Sequence, residues 1–276
     1  MGIVNVTPDS FSDGGCYFDT AKAIDHGLKL LSEGADMLDL GGESTRPGSH
    51  AGAGNALSTE EEQSRILPVL KGILRAAPDA ILSVDTYKAA TARAALRAGA
   101  EIINDVSGLL WDAQMAATLA ELECGIVLMH TRGRPDEWRT QPSLGGEALF
   151  KNVEGDLSQT LQVAERAGIQ RERIVLDPGY GFGKNFAENY DLLARQSRLL
   201  ALDHPLLVGL SRKSFLGRTL SPLYEAKDAP PEARSQAGVT AAVAAILAGA
   251  SIVRVHEVRA MVEAALIADA LLDATP

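Results

Sequence analysis

The sequence predicts a single α/β domain folded as a (β/α)8 TIM barrel, on three observations. Eight short β-rich runs alternate with longer segments at helical spacing across 276 residues. One barrel of this kind takes about 250 residues, so the length calls for no second domain. Polar residues end nearly every run, as they do where strand ends build an active site.

The strands are expected at residues 2–6, 36–40, 81–84, 101–104, 125–129, 173–176, 205–209 and 251–255, with helices among the intervening segments at 20–34, 59–77, 88–98, 149–168, 233–248 and 258–272. Gly34, Gly99, Gly168 and Gly249 stand just past helix ends, where a left-handed cap favours glycine. Ser58, with Glu61 three residues on, reads as a capping box. Runs such as Ile81-Leu82-Ser83-Val84 suit parallel strands covered on both faces. The competing topology is an open doubly wound sheet, but no dinucleotide fingerprint follows the first strand. The segment Gly179-Tyr180-Gly181-Phe182-Gly183-Lys184 looks like a phosphate loop, yet Pro178 and Asn185 break that spacing. One domain over residues 1–276 is expected, and because the sequence opens inside its first strand, an N-terminal hairpin that plugs the barrel base is expected to be lacking from it. The long connections at 41–57, 131–147 and 211–231 are candidate covers of the site.

Composition narrows the function. With 46% hydrophobic and 22% charged residues the chain is ordinary globular material, and a net charge of −10 argues against a nucleic-acid surface. An anionic ligand must then meet a local cluster of Lys and Arg. Two cysteines, Cys16 and Cys124, in no metal or redox spacing fit a reducing, cytoplasmic setting. No apolar run reaches about 18 residues and no secretory leader is evident, so no membrane association is expected. Met1-Gly2 lacks the hydroxyl residue that myristoylation wants at Val6, and Asn5-Val6-Thr7 matches a glycosylation pattern without secretory context.

The strand ends read, in order, Asn5; Glu43-Ser44-Thr45-Arg46; Asp85; Asn104-Asp105; His130; Asp177; Ser211-Arg212-Lys213; and Arg254 with His256. Any one of these could be a helix cap or turn residue. Together they form two chemical groups. Asp85, Asn104 and Asp177 offer oxygens for an NH-rich heterocycle, and Arg46, Lys213, Arg254 and His256 offer donors for a phosphate or pyrophosphate.

At this point the sequence resembles bacterial dihydropteroate synthases. Residues 2–15, GIVNVTPDSFSDGG, and 41–48, GGESTRPG, are similar to that family's two signatures. The likeness continues through Ser83-Val84-Asp85-Thr86, Ile103-Asn104-Asp105, Leu128-Met129-His130, Asp177-Pro178-Gly179, Ser211-Arg212-Lys213-Ser214 and Arg254-Val255-His256, covering the chain to about residue 260. It implies a folate-pathway transferase that joins 6-hydroxymethyl-7,8-dihydropterin pyrophosphate to 4-aminobenzoate and releases pyrophosphate by a dissociative path.

The resemblance also implies roles. Asp85, Asn104, Asp177 and Lys213 hold the pterin, with Ile103 and Met129 on its faces. Asn5, Arg46, Arg254 and His256 take the pyrophosphate, Asn5 beside a Mg²⁺ ion. Phe11, Thr45, Arg46, Pro47, Phe182, Lys213 and Ser214 surround the aminobenzoate, and residues 9–15 form a cover. Asp85, Asp177, Lys213, Arg254 and His256 are the expected catalytic set. Sulfonamide-type aminobenzoate mimics are the implied inhibitors, and a homodimer through the last helices is the implied assembly.

Elementary chemistry agrees. An arylamine is an uncharged nucleophile that needs no strong base, so help belongs with the departing pyrophosphate, through cations and Mg²⁺, while Asp85 and Asp177 stabilise a cationic pterin. Three other readings compete: a Schiff-base aldolase using Lys213, a pterin-binding methyltransferase domain serving a corrinoid partner, and a pterin-binding paralogue without turnover.

Overall fold

The computed structural model describes residues 1–7, 20–45, 49–54 and 56–274. Eight strands alternate with helices: β1 (Gly2–Asn5), α1 (Thr20–Ser32), β2 (Met37–Gly41), α2 (Thr59–Ala76), β3 (Ile81–Asp85), α3 (Ala89–Arg97), β4 (Ile102–Asp105), α4 (Met115–Glu121) and β5 (Gly125–Met129) come first. Then follow α5 (Gly146–Arg166), β6 (Ile174–Asp177), α6 (Phe186–Ala194), β7 (Leu207–Val208), α7 (Ser214–Thr219), α8 (Ser235–Leu247), β8 (Ile252–Val253) and α9 (Val258–Asp273). Strands β1 to β6 pair in sequence order, all parallel, and β7 pairs with β8.

Single bridges close the ring. Leu176 meets Leu206 between β6 and the approach to β7, and Gly2 meets Val255 just past β8, with Ile3 N donating to Val255 O at 3.0 Å. The barrel topology is thus complete although its last two strands are only two residues long. All eight strands fall within a residue or two of their expected positions. The helices α4, α6 and α7 lay outside the expected segments, α7 within the long connection expected at 211–231.

Local signals act largely as expected. The four glycines past helix ends all take positive φ. At α2, Ser58 accepts from Glu61 N at 3.1 Å, but the Glu61 side chain pairs with Arg65 instead of completing the box. The full capping box is at α6, between Asn185 and Glu188.

Strand alternation divides the core. Leu38, Leu40, Leu82, Val84, Ile103, Ile126, Leu128 and Leu176 face outward and pack beneath the helices. Met1, Val127 and Leu207, with Met37, Ile102, Val175 and Ile252, fill the barrel interior. The next inward residues toward the C-terminal ends are Asp39, Ser83, Asn104, Met129 and Asp177, so apolar filling gives way to polar groups at the mouth.

Candidate active site

The centre of the mouth is a buried carboxylate, Asp39, in the middle of β2. It accepts from Ser83 Oγ at 2.6 Å, Asn104 Nδ2 at 3.0 Å and Arg254 Nε at 2.6 Å, and no part of it reaches solvent. Arg254 Nη2 reaches Asp85 Oδ2 at 3.1 Å, so one guanidinium from the end of β8 bridges the carboxylates of β2 and β3. Arg254 therefore stands, in space, with the heterocycle-facing carboxylates. Sequence reasoning passed over Asp39. Its signal was a carboxylate inside the apolar run Met37-Leu38-Asp39-Leu40, a place where charge persists only when paired.

Burial sets the electrostatics. It pushes the Asp85 carboxyl up to about 8, against the pull of Arg254 and with repulsion from Asp39. Asp177, at the end of β6, is also raised by burial, opposed by the Gly179 N–H bond at 2.7 Å and by Lys213, Lys184 and Arg254. Lys213, at the N-cap of α7, is lowered by burial to about 8, with Asp177 and Asp85 holding it up. Its ammonium lies 4.1 Å from the centre of the Phe182 ring. Asp85, Asn104, Asp177, Lys213 and Arg254 thus meet around one opening.

Apolar walls line the same mouth. Met129 and Val106 are buried with Ala51 and Tyr87, and Phe182 and Trp111 pack on them. Ile103, expected on a pterin face, is fully buried in the outer strand-helix core. The reason is parity: with Asn104 turned inward, Ile103 must turn outward, and Val106, two residues past Asn104, supplies the apolar surface.

Other expected residues sit apart. His256, half-buried just past β8, bonds Ser211 Oγ at 3.0 Å, and Ser211 in turn donates to Glu257 at 3.1 Å. Burial, with Arg212 and Arg254 nearby, pushes His256 down to about 3, which leaves it a neutral imidazole. Asn5 ends β1 beside Gly41, Thr45 is half-buried in the β2–α2 connection, and Ser214 opens α7 exposed. Phe11, Arg46 and Pro47, with the expected cover at 9–15, lie outside the described residues.

The β2–α2 connection is tied down at both ends. Glu43 accepts from Lys88 Nζ at 2.6 Å, Tyr87 OH at 2.9 Å and Leu57 N at 3.0 Å, while Gly52 N donates to Tyr87 OH at 2.9 Å. These bonds fix the connection that carries Thr45. Among the described residues no cluster of three or more His, Cys, Asp or Glu could hold a metal ion by itself, and no helix is long and apolar enough to cross a membrane.

Comparisons with known proteins fit this geometry. A family model described as pterin binding enzyme matches residues 1–256. The dihydropteroate synthase of Bacillus subtilis is 40% identical over 99% of this chain and 88% of its own length. Among solved structures, the Yersinia pestis dihydropteroate synthase with a sulfonamide drug complex superposes with a TM-score of 0.88 at 40% identity, covering 99% of this chain and 93% of that one. The Xanthomonas albilineans enzyme in complex with 7,8-dihydropteroate gives 0.82 at 39% identity, covering 100% and 93%. The chain belongs to the pterin binding enzyme family, among its dihydropteroate synthases.

Proposed function

We propose that the barrel mouth condenses 6-hydroxymethyl-7,8-dihydropterin pyrophosphate with 4-aminobenzoate, giving 7,8-dihydropteroate and pyrophosphate. The observation that carries this is the convergence of Asp85, Asn104, Asp177, Lys213 and Arg254 on one opening walled by Met129, Val106 and Phe182. Carboxylate and amide oxygens at the ends of β3, β4 and β6 match a ring edge rich in N–H donors, and the apolar walls match its faces.

The chemistry follows from what these residues can do. As the methylene–oxygen bond breaks, electron demand grows on the pterin; burial raises Asp85 and Asp177, and the positive charge growing on a pterin held against them favours their ionised forms, which lower that cost. Pyrophosphate leaves toward donors, where Arg254, Lys213 and the neutral His256 ring can hydrogen-bond it. The amine nitrogen attacks from the side of Thr45, Phe182 and Ser214, and no protein base is needed before attack. Arg46, Phe11 and Pro47 are assigned to the same side on the family motif. Aminobenzoate mimics of the sulfonamide type would compete there, in line with the drug complex of the Yersinia pestis relative.

Mg²⁺ fits as a companion of the pyrophosphate. It keeps several waters and takes few protein oxygens, a demand that the single Asn5 amide at the end of β1 can meet. Bound there, the ion would neutralise charge on the leaving group. We place the reaction in the cytoplasm on the cysteine usage of the chain. A homodimer through the last helices is favoured by the exposed apolar residues Leu247, Leu266, Ile267 and Leu272 of α8 and α9.

The assignment of the pterin site is tested by Lys213→Ala and Asp177→Ala. Each should abolish detectable binding of the dihydropterin pyrophosphate in calorimetry while the protein stays folded by circular dichroism. Wild-type affinity in either variant would remove that residue from the site.

A further inference from the structure

The segment from Gly179 to Lys184 resembles a phosphate loop in sequence, but its backbone serves a cation. Gly179, Gly181 and Gly183 take φ of 68°, 82° and 69°. A Cβ at Gly179 would collide with the His130 carbonyl, and one at Gly183 would come within 2.6 Å of Arg132 Cβ, so side chains are excluded. The winding turns carbonyls toward the loop's own lysine. Lys184 Nζ donates to Gly179 O at 2.8 Å and to Phe182 O at 3.3 Å. An anion loop would present N–H groups instead.

The third bond of Lys184 leads to the surface. Its Nζ lies 2.8 Å from His130 Nδ1, and His130 Nε2 lies 3.2 Å from Asp156 Oδ2, which also accepts from Asn152 Nδ2 at 2.9 Å. Burial, with Lys184 close by, pushes His130 down to about 4. A neutral imidazole can accept from the ammonium at Nδ1 and donate to Asp156 at Nε2.

This clamp touches the site at two points. Gly179, whose carbonyl Lys184 holds, donates its N–H to Asp177 Oδ1, and His130 N donates to Asp177 O at 2.8 Å. Phe182, whose carbonyl Lys184 also holds, carries the ring beside Lys213. Lys184 itself is only 7% exposed, and burial lowers it to about 7 while Asp177 holds it up, so the amine is held by its bonds to the two carbonyls and, when charged, acts on Asp177.

We propose that Lys184 is a positioning residue for the condensation: by gathering the Gly179 and Phe182 carbonyls onto its ammonium it sets the Asp177 carboxylate and the Phe182 ring about Lys213, with His130 and Asp156 anchoring it from behind. It acts through those groups. The inference rests on the synthase reading, because dihydropterin pyrophosphate is the ligand that reads it out.

The experiment compares wild type, Lys184→Met, Lys184→Gln and Asp156→Asn by calorimetric Kd for dihydropterin pyrophosphate, KM and kcat for both substrates, and melting temperature. Lys184→Met should raise the pterin Kd by about tenfold or more, since small displacements of binding groups are costly. Lys184→Gln, which restores N–H donors to the two carbonyls, should recover most of that affinity. Asp156→Asn, at the solvent end, should raise Kd about twofold to threefold, the loss of roughly half a typical hydrogen bond. An unchanged Kd in the Lys184→Met and Asp156→Asn variants would overturn the proposal, as would a loss that only tracks the unfolded fraction and that Gln does not repair. Absence of pterin binding and turnover in the wild type, measured alongside, would instead overturn the synthase reading.

Discussion

Asp39→Asn tests how the mouth is held together. Asp39 is fully buried and receives three donors, Ser83 Oγ, Asn104 Nδ2 and Arg254 Nε. An asparagine of the same shape offers one acceptor oxygen where three donors converge, and its amide must face one of them. The loss is a charge-assisted bond worth about 1.5–3 kcal/mol plus a buried donor left unmet at about 1–3 kcal/mol. Arg254 keeps Asp85 as a partner and is 19% exposed, which places the sum near the low end, at about 3 kcal/mol. For a domain of this size that is a fall of about 6–12 °C in melting temperature. Pterin affinity should fall as well, because Asn104 and Arg254 lose their common anchor. Differential scanning calorimetry and isothermal titration with dihydropterin pyrophosphate read both effects. A variant that melts within about 2 °C of wild type, well below the fall expected from these bonds, and binds pterin equally would refute the organising role of Asp39.

The parity argument predicts a contrast between Ile103 in β4 and Val106 just past its end. Ile103→Ala should cost about 2–5 kcal/mol of stability and leave the pterin Kd unchanged, whereas Val106→Ala should weaken pterin binding at a smaller cost in stability; chemical denaturation with calorimetry separates them, and the reverse pattern would sink the assignment. Two histidines predict the acid response. His256 and His130 are lowered to about 3 and about 4, so below the ordinary value near 6.5 the unfolded chain takes up protons that the folded chain refuses. Their contribution is therefore complete above about pH 6.5 and is lost as pH falls toward those values, so the melting temperature should drop across that window while the His256 ring resonance stays flat from about pH 5 to 8. A ring titration near 6.5 in the unliganded protein would contradict this. Ile267→Glu, on the exposed face of α9, should convert a dimer to monomers in sedimentation; an unchanged sedimentation coefficient would place any dimer elsewhere.

Much of this architecture was readable from residue order. Short β-rich runs bounded by polar residues located all eight strands, because a parallel barrel strand must be apolar where it is covered and polar where it emerges. The short helices α4 and α7 carry too few periodic residues to stand out, and α6 begins directly after a glycine-rich motif that reads as loop. In the site, Asp85, Asn104, Asp177, Lys213 and Arg254 were legible because each ends or follows a strand. Asp39 was not, since it lies within one, and its role appears only when Ser83, Asn104 and Arg254 from three other strands close on it. Ile103 was misplaced because a motif match carries no facing, which only the register of β4 with β3 and β5 settles. Lys184 was read against a phosphate template, and the direction of its loop carbonyls is a property of backbone dihedrals.

The central claim is that one polar mouth couples pterin binding to departure of pyrophosphate. It is tested most directly by measuring pyrophosphate release from 6-hydroxymethyl-7,8-dihydropterin pyrophosphate with and without 4-aminobenzoate and Mg²⁺, together with formation of 7,8-dihydropteroate. The account predicts release that depends on the amine, matches product one for one, and is lost in Lys213→Ala. Folded protein that binds the pterin yet releases no pyrophosphate in the presence of the amine would contradict it.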